Sequence, residues 1–256
     1  MKTFRCKLCK LKCNDKIDSH IIPRYIYKWV KDTAISPYLR EAVNPNVRKQ
    51  DGETKNQFLC RSCEKIFNDY ETKFANKIFY PYVSSNNVDY EYEEWLLKFA
   101  VSQSWRMLAL EIDTVNDQLA AKLNKILDIW SDYILEKREN SGLHSHHLLF
   151  FKRTPDLPTN KEDYFCERAI DGSIGNRKSK IWIYSKLAPV AVVSHVKPLK
   201  FNGWRNSLIH KKGRLQGFQL VTDNVFNEFF IDRINFYINS HKKITEKQNK
   251  KISQAF

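Results

Sequence analysis

Two pairs of thiols frame the first quarter of the chain: Cys6 and Cys9 in "CKLC", and Cys60 and Cys63 in "LCRSC". Cysteine binds metal as the thiolate, and two C-x2-C pairs supply the four sulfur donors that a tetrahedral zinc ion takes. Each pair forms a knuckle whose backbone N–H groups face the sulfurs. An ion held by Cys6, Cys9, Cys60 and Cys63 has no open coordination position, so a zinc ion there is structural. It supplies folding free energy that a short cysteine-rich segment cannot raise by burial. Cys13, in the same loop, is either a spare ligand or, preferably, a small buried apolar residue. Cys166 falls in a β-type run and reads as core.

Between the pairs lies His20, in "SHIIPR". Imidazole is the side-chain base that titrates nearest neutrality, which suits it to moving a proton. A first C-x2-C, a histidine followed by Ile-Ile-Pro, and "LCRSC" opening a helical pattern together resemble the zinc-bound branch of the HNH (ββα-metal) endonucleases. The pattern of that family runs C-x2-C, D-H-I-x-P, an asparagine, then L-C-x2-C-H on the helix. The resemblance spans residues 6 to 70. It implies a treble-clef-like ββα module with structural Zn2+, and a catalytic Mg2+ or Mn2+ that stabilises the leaving oxygen of a phosphodiester. His20 takes the general-base position in that comparison.

The chain departs from the family pattern at three places. Ser19 stands where the acid before the histidine belongs, with Asp18 one residue earlier and therefore on the other face of a strand. Glu64 replaces the histidine after the second pair, and a carboxylate keeps an oxygen ligand for a divalent ion. Asn56 is shifted by one residue from the asparagine that orients the imidazole, with Asn44 and Asn46 as alternatives. The candidate catalytic set is therefore His20, Glu64, Asp18 and Asn56. The plainer readings make His20 a structural histidine at a turn of the zinc module, and Glu64 a first-turn acid favoured by the helix dipole.

The elements that must position these groups follow from periodicity. Residues 1–82 are expected to form the zinc-bound module, including a helix over "RYIYKWVKDT". Residues 83–142 read as a helical scaffold: Tyr92, Leu96, Phe99 and Leu108, then Leu119, Leu123, Ile126 and Trp130, recur every three or four positions. Asp113 or Thr114 is the expected cap between two antiparallel helices. Residues 143–241 turn to β-type runs, "HHLLFFKR", "YFCERAI", "KIWIYSKL", "VAVVSHVK" and "SLIHKKGRLQGFQLV". They are divided by the turn signals "TPDLPTN", "DGSIGN", "APV", "FNGW" and "KKG". A final helix over "NVFNEFFIDRINFYINSHKK" places Val225, Phe229, Ile231 or Arg233, and Phe236 on shared faces, and residues 242–256 read as a disordered basic tail. The fold class is α+β: a zinc module, a helix pair, and an antiparallel meander with a terminal helix.

The remaining motifs are weaker. In "HSHH", His146 and His147 fall on opposite faces of any strand, so a loop entering a strand is preferred to a metal cluster. Asn202, Trp204 and Arg205 could offer a stacking surface, although a tryptophan anchoring a hairpin is the simpler reading. No P-loop, G-x-G-x-x-G or G-x-S-x-G is present.

The formal net charge is +14, which points to a polyanionic partner, DNA or RNA. No secretory signal precedes Cys6 and no apolar run is long enough for a bilayer, so a cytoplasmic protein without membrane contact is expected. The functional expectation is an HNH-type endonuclease, by analogy an antiviral defence effector beside an ATPase or sensor partner. The alternative is a zinc-binding adaptor that has lost its active site and docks nucleic acid or protein.

Overall fold

The computed structural model describes residues 3–15, 17–34, 38–40, 43–151, 160–199 and 202–253. Strands β1 (Phe4–Arg5) and β2 (Lys12–Cys13) form a hairpin around the first thiol pair, with Lys10 in the left-handed region. The chain then runs through β3 (Asp18–His20) into α1 (Arg24–Asp32). Pro23 occupies the N-cap, where its fixed φ and missing N–H cost the helix nothing. Ile26, Tyr27 and Trp29 bury one side of α1. A second hairpin, β4 (Leu39–Arg40) and β5 (Arg48–Lys49), precedes β6 (Thr54–Asn56), which returns to pair with β3. Helix α2 (Arg61–Phe74) starts directly at Cys60.

A widened π turn over Ala75–Phe79 carries α2 into α3 (Tyr80–Ser85), which ends at Asn86 in the left-handed conformation. Strand β7 (Asp89–Tyr92) leads to α4 (Glu94–Glu111). Every residue of α4 from Leu96 to Ala109 except Lys98 is buried. The helix is therefore the centre of the fold rather than an amphipathic scaffold with one apolar stripe. A 3-10 turn over Ile112–Thr114 absorbs Asp113 and Thr114, so the cap of α5 (Asp117–Ile134) falls to Asn116 instead. Its side chain accepts the Leu119 N–H at 3.0 Å.

Strand β8 (His146–Phe150) opens the C-terminal sheet. The segment "YFCERAI" corrects the expectation of a strand: Lys161–Arg168 is helix α6, capped by Asn160, with Glu162 and Asp163 in its first turn and Arg168 in its last. That charge order matches the helix dipole and outweighs the short β-like alternation. Strands β9 (Ile170–Arg177), β10 (Lys180–Leu187) and β11 (Val190–Lys197) follow, giving an antiparallel sheet of order β8-β11-β10-β9. "DGSIGN" lies inside β9, not at a turn. The turn comes at Lys178–Ser179, both with positive φ. A Cβ at Gly175 would stand 2.0 Å from the Trp182 ring, so that glycine serves close packing. The "APV" turn is present, with Ala188 at φ 56°. Most of "TPDLPTN" lies outside the described residues.

Period-two alternation divides the sheet's faces. Ile181, Ile183, Leu187, Val190 and Val192 join the main core under α4, while Trp182, Tyr184, Ala191 and Val193 pack with Phe226 and Phe229. Strands β12 (Trp204–Arg205), β13 (Gly213–Gln216) and β14 (Leu220–Val221) lead to α7 (Asn224–His241), whose Asp223 cap accepts the Val225 and Phe226 N–H groups. Strand β13 pairs with β7, and β14 with β12. Of the residues read as sharing faces of α7, Phe229 is buried with Phe226 and Arg233 is half-buried, while Ile231 and Phe236 are exposed. The tail is not disordered through its length: Glu246–Ser253 forms α8. Buried residues from Cys6 to Leu215 make one continuous cluster, so the three segments distinguished by composition share a core. Among the described residues no helix is long and apolar enough to cross a membrane.

The sheet carries three buried histidines whose ring nitrogens meet hydroxyls. His146 contacts Ser194 and Ser141, His147 contacts Ser207, and His195 contacts Ser145. Burial lowers their pKa values to about 3, about 3 and about 2 from an ordinary 6.5. The unfolded chain therefore binds more protons than the folded one below pH 6.5. Stability present above that pH is lost as the pH falls, by up to about 1.4 kcal/mol per pH unit for each histidine and about 4 for the three. Urea midpoints measured from about pH 7.5 down to about 5 are expected to fall steeply below 6.5; a flat profile would contradict this account.

Candidate metal centre and the histidine beside it

The β1–β2 knuckle and the start of α2 bring the sulfurs of Cys6, Cys9, Cys60 and Cys63 within 4.8 Å of one another. Tetrahedral zinc with bonds of about 2.3 Å places its sulfurs about 3.8 Å apart. Cys9 Sγ and Cys60 Sγ are separated by 3.9 Å. The donor set thus fits zinc, and the four cysteines can hold one ion. The Cys60 N–H donates to Cys6 Sγ at 3.3 Å, and Ser62 Oγ lies 3.2 Å from Cys60 Sγ, contacts that orient ligands from outside the shell. Such crowding sets the thiol protons in competition. Donation from Cys63 draws the Cys6 thiol down to about 4, while Cys63 itself is pushed up. A central cation favours four thiolates and removes the conflict.

Cys13 stands outside the four. It is half-buried on β2 and donates to the Leu11 carbonyl at 3.6 Å, and burial and neighbouring thiols push it up to about 11. Cys166 lies on α6 rather than on a strand and is half-buried.

Ser19 and His20 are successive residues of β3 and point to opposite faces. Ser19 is fully buried against α2 and donates to Glu64 Oε2 at 2.9 Å. Glu64 Oε1 accepts from Arg106 Nη2 on α4 at 3.2 Å, and Arg106 Nη1 donates to Glu71. The guanidinium lies 4.5 Å over the Phe67 ring and is almost wholly buried. Burial and repulsion from Glu64 hold the Glu71 carboxyl above its ordinary range despite Arg106. In the sequence, Trp105-Arg106 reads ambiguously, as a stacking surface or a buried anchor, and the structure buries both residues.

His20 turns the other way. Its Nε2 lies 3.3 Å from Asp51 Oδ2, a pairing absent from the sequence-based candidate set. Asp51 Oδ1 accepts the Gly52 N–H at 2.8 Å, and Oδ2 is 3.7 Å from Arg24 Nε. Burial alone would raise the Asp51 carboxyl, but Gly52, His20 and Arg24 together hold it below its ordinary value. The available signal was the turn-forming Asp51-Gly52 pair, which connects β5 to β6. Thr54, not Asn56, stands opposite His20. Asn56 pairs with Asp18 at the other end of the ladder. Asn44 caps the Asn46 N–H at 3.3 Å, and Asn46 binds the C-terminal tail.

These positions decide the fit of a divalent ion. Both Glu64 oxygens are engaged, by Ser19 and by Arg106, on the face of β3 away from His20. Arg106 already supplies the positive charge there, so a hard-cation site shared by Glu64 and His20 does not fit. Asp51 instead borders an open pocket of about 430 Å³, whose lining also includes Arg24, Lys31, Tyr38 and Gln50.

The other sequence candidates have structural neighbours. His146 and His147 occupy opposite faces of β8, and Trp204 packs against His147, His195 and Phe226, each at 4.7 Å between ring centres. Helix α4 supports the whole site. Trp105 meets Phe58 and Phe67, and Gln103 donates to the Ile21 carbonyl at 3.2 Å.

Metal analysis of the purified chain is expected to find a single zinc ion. Cys63→Ser is expected to lose it, with a loss of roughly 3 kcal/mol or more in stability. Arg106→Met, which strands Glu64 and Glu71, is expected to cost about 3–5 kcal/mol in denaturant unfolding, and adding Glu64→Gln and Glu71→Gln should recover most of that. Comparison finds no match to a protein-family model, a curated protein or a solved structure, so the residues themselves carry the functional reading.

Proposed function

We propose that the chain is an endonuclease of HNH type that hydrolyses phosphodiester bonds in nucleic acid, with His20 as its general base. The observation that carries the reading is the His20–Asp51 pair at 3.3 Å, opening beside a pocket edged by Arg24 and Lys31 on a zinc-ordered scaffold. Nε2 is buried 3.3 Å from Asp51 Oδ2 without a hydrogen bond to it, so Nδ1 is the ring nitrogen that this reading assigns to take a proton from water. The water oxygen bonds to phosphorus, the bond to the leaving oxygen breaks, and that oxygen takes a proton from solvent. Asp51 holds the resulting imidazolium, and Arg24 and Lys31 face the phosphate charge. No step is assigned to a divalent ion, because the carboxylates named for one do not converge on His20.

A second reading, a zinc-stabilised adaptor without catalysis, is favoured by the Arg106–Glu64 ion pair, which occupies a place where a catalytic metal ligand was expected. Cleavage assays on plasmid DNA and on tRNA, with Mg2+, Mn2+ or chelator, separate the two. The enzyme reading expects nicking that His20→Ala abolishes and that Asp51→Asn slows by about a hundredfold, with an altered pH–rate profile. Nicking indifferent to His20→Ala, or none with any cation, overturns the nuclease and leaves the adaptor.

A further inference from the structure

The β4–β5 hairpin sets Arg40 directly opposite Arg48. Like charges facing each other across a strand pair destabilise it, and among the described residues no carboxylate pairs with either. Both guanidinium groups instead converge on one neutral oxygen. Arg40 Nη2 and Arg48 Nη2 donate to Gln248 Oε1 of α8, at 3.3 and 3.0 Å. Arg40 is further fixed by donation to the Pro45 carbonyl at 2.7 Å. Two guanidinium forks on a single oxygen is an arrangement suited to a phosphate oxygen, where charge assistance strengthens each bond.

The tail that supplies Gln248 is lightly held. Asn46 donates to the Lys243 carbonyl at 2.8 Å and accepts the Thr245 N–H at 3.1 Å. These are neutral, exposed hydrogen bonds, each worth about 1 kcal/mol. The tail that packs on this cationic hairpin is itself basic, with Lys242, Lys243, Lys247 and Lys250 in its sequence. A polyanion relieves that repulsion, while the tail by itself does not.

The arginine pair is continuous with the histidine site. The Tyr38 ring lies 5.3 Å from the Arg48 guanidinium and lines the same pocket as Asp51, the carboxylate 3.3 Å from His20 Nε2. We propose that Arg40 and Arg48 clamp a backbone phosphate of nucleic acid, that Gln248 holds the place of that phosphate, and that α8 is a strap displaced when the strand binds. Tyr38, part-exposed between clamp and pocket, offers a face on which a base stacks. The choice of nucleic acid as ligand rests on the proposed function, but the clamp requires no cleavage.

The test is fluorescence anisotropy of a labelled single-stranded oligonucleotide, without divalent ions, using full-length chain carrying His20→Ala. Arg40→Gln with Arg48→Gln is expected to weaken binding by about tenfold or more and to reduce the slope of log affinity against log salt by about 0.7, the value for one phosphate on a single strand. Gln248→Glu places a carboxylate between the guanidinium groups. It is expected to weaken binding about tenfold while raising the melting temperature, whereas Gln248→Ala tightens binding. Unchanged binding in the folded double-arginine variant, or in both Gln248 variants, overturns the clamp. So does displacement by polyglutamate as effective as by unlabelled oligonucleotide. Clamp-dependent binding alongside a wild-type chain that cleaves nothing upholds the clamp and defeats only the nuclease reading.

Discussion

Four sulfurs gathered within 4.8 Å tie the first hairpin of the chain to the helix that begins at Cys60. That tie carries the rest of the amino-terminal region. Among the described residues, the segment between the pairs holds short strands and the nine-residue helix α1, which apolar burial alone does not order. Once the knuckle is joined to α2, β3 is trapped between α2 and the loop that carries Asp51. Its alternation then sends Ser19 inward and His20 outward.

Helix α4 is the second constraint. It is buried on all sides, so its polar residues must find partners inside the protein. Gln103 reaches the Ile21 carbonyl, and Ser104 reaches Ser194 on β11. Arg106 neutralises Glu64 and Glu71. Zinc module, helices and sheet are thereby joined through one helix. The same pairing withdraws Glu64 from the solvent and leaves the exposed face of β3 to a histidine and an aspartate.

On that exposed side the charge balance changes. Arg24 and Lys31 line one pocket with Asp51, the acid beside His20, Tyr38 of that lining meets Arg48, and Gln248 of the basic tail bonds Arg48 and Arg40. A net charge of +14 is thus not only a diffuse solvated surface. Part of it, Arg24 and Lys31, lines the pocket that Asp51 borders.

The local rules of the chain were legible in its sequence. C-x2-C spacing announced the four sulfurs that gather, three- and four-residue periodicity announced α4, α5 and α7, and alternation announced β8, β10 and β11. Each is a relation between near neighbours, set by backbone geometry. Where two local signals competed, as in "YFCERAI" or "DGSIGN", the caps and the close packing of glycine against Trp182 decided, and the latter is not local. The pairings that define the site were settled only in three dimensions. His20 meets Asp51 across a loop, Glu64 meets Arg106 from another helix, and Arg40 meets Gln248 from the far end of the chain. Such contacts have no spacing rule, because which charges face each other depends on how whole elements pack, and a residue's partner is fixed only when the core that carries both has formed.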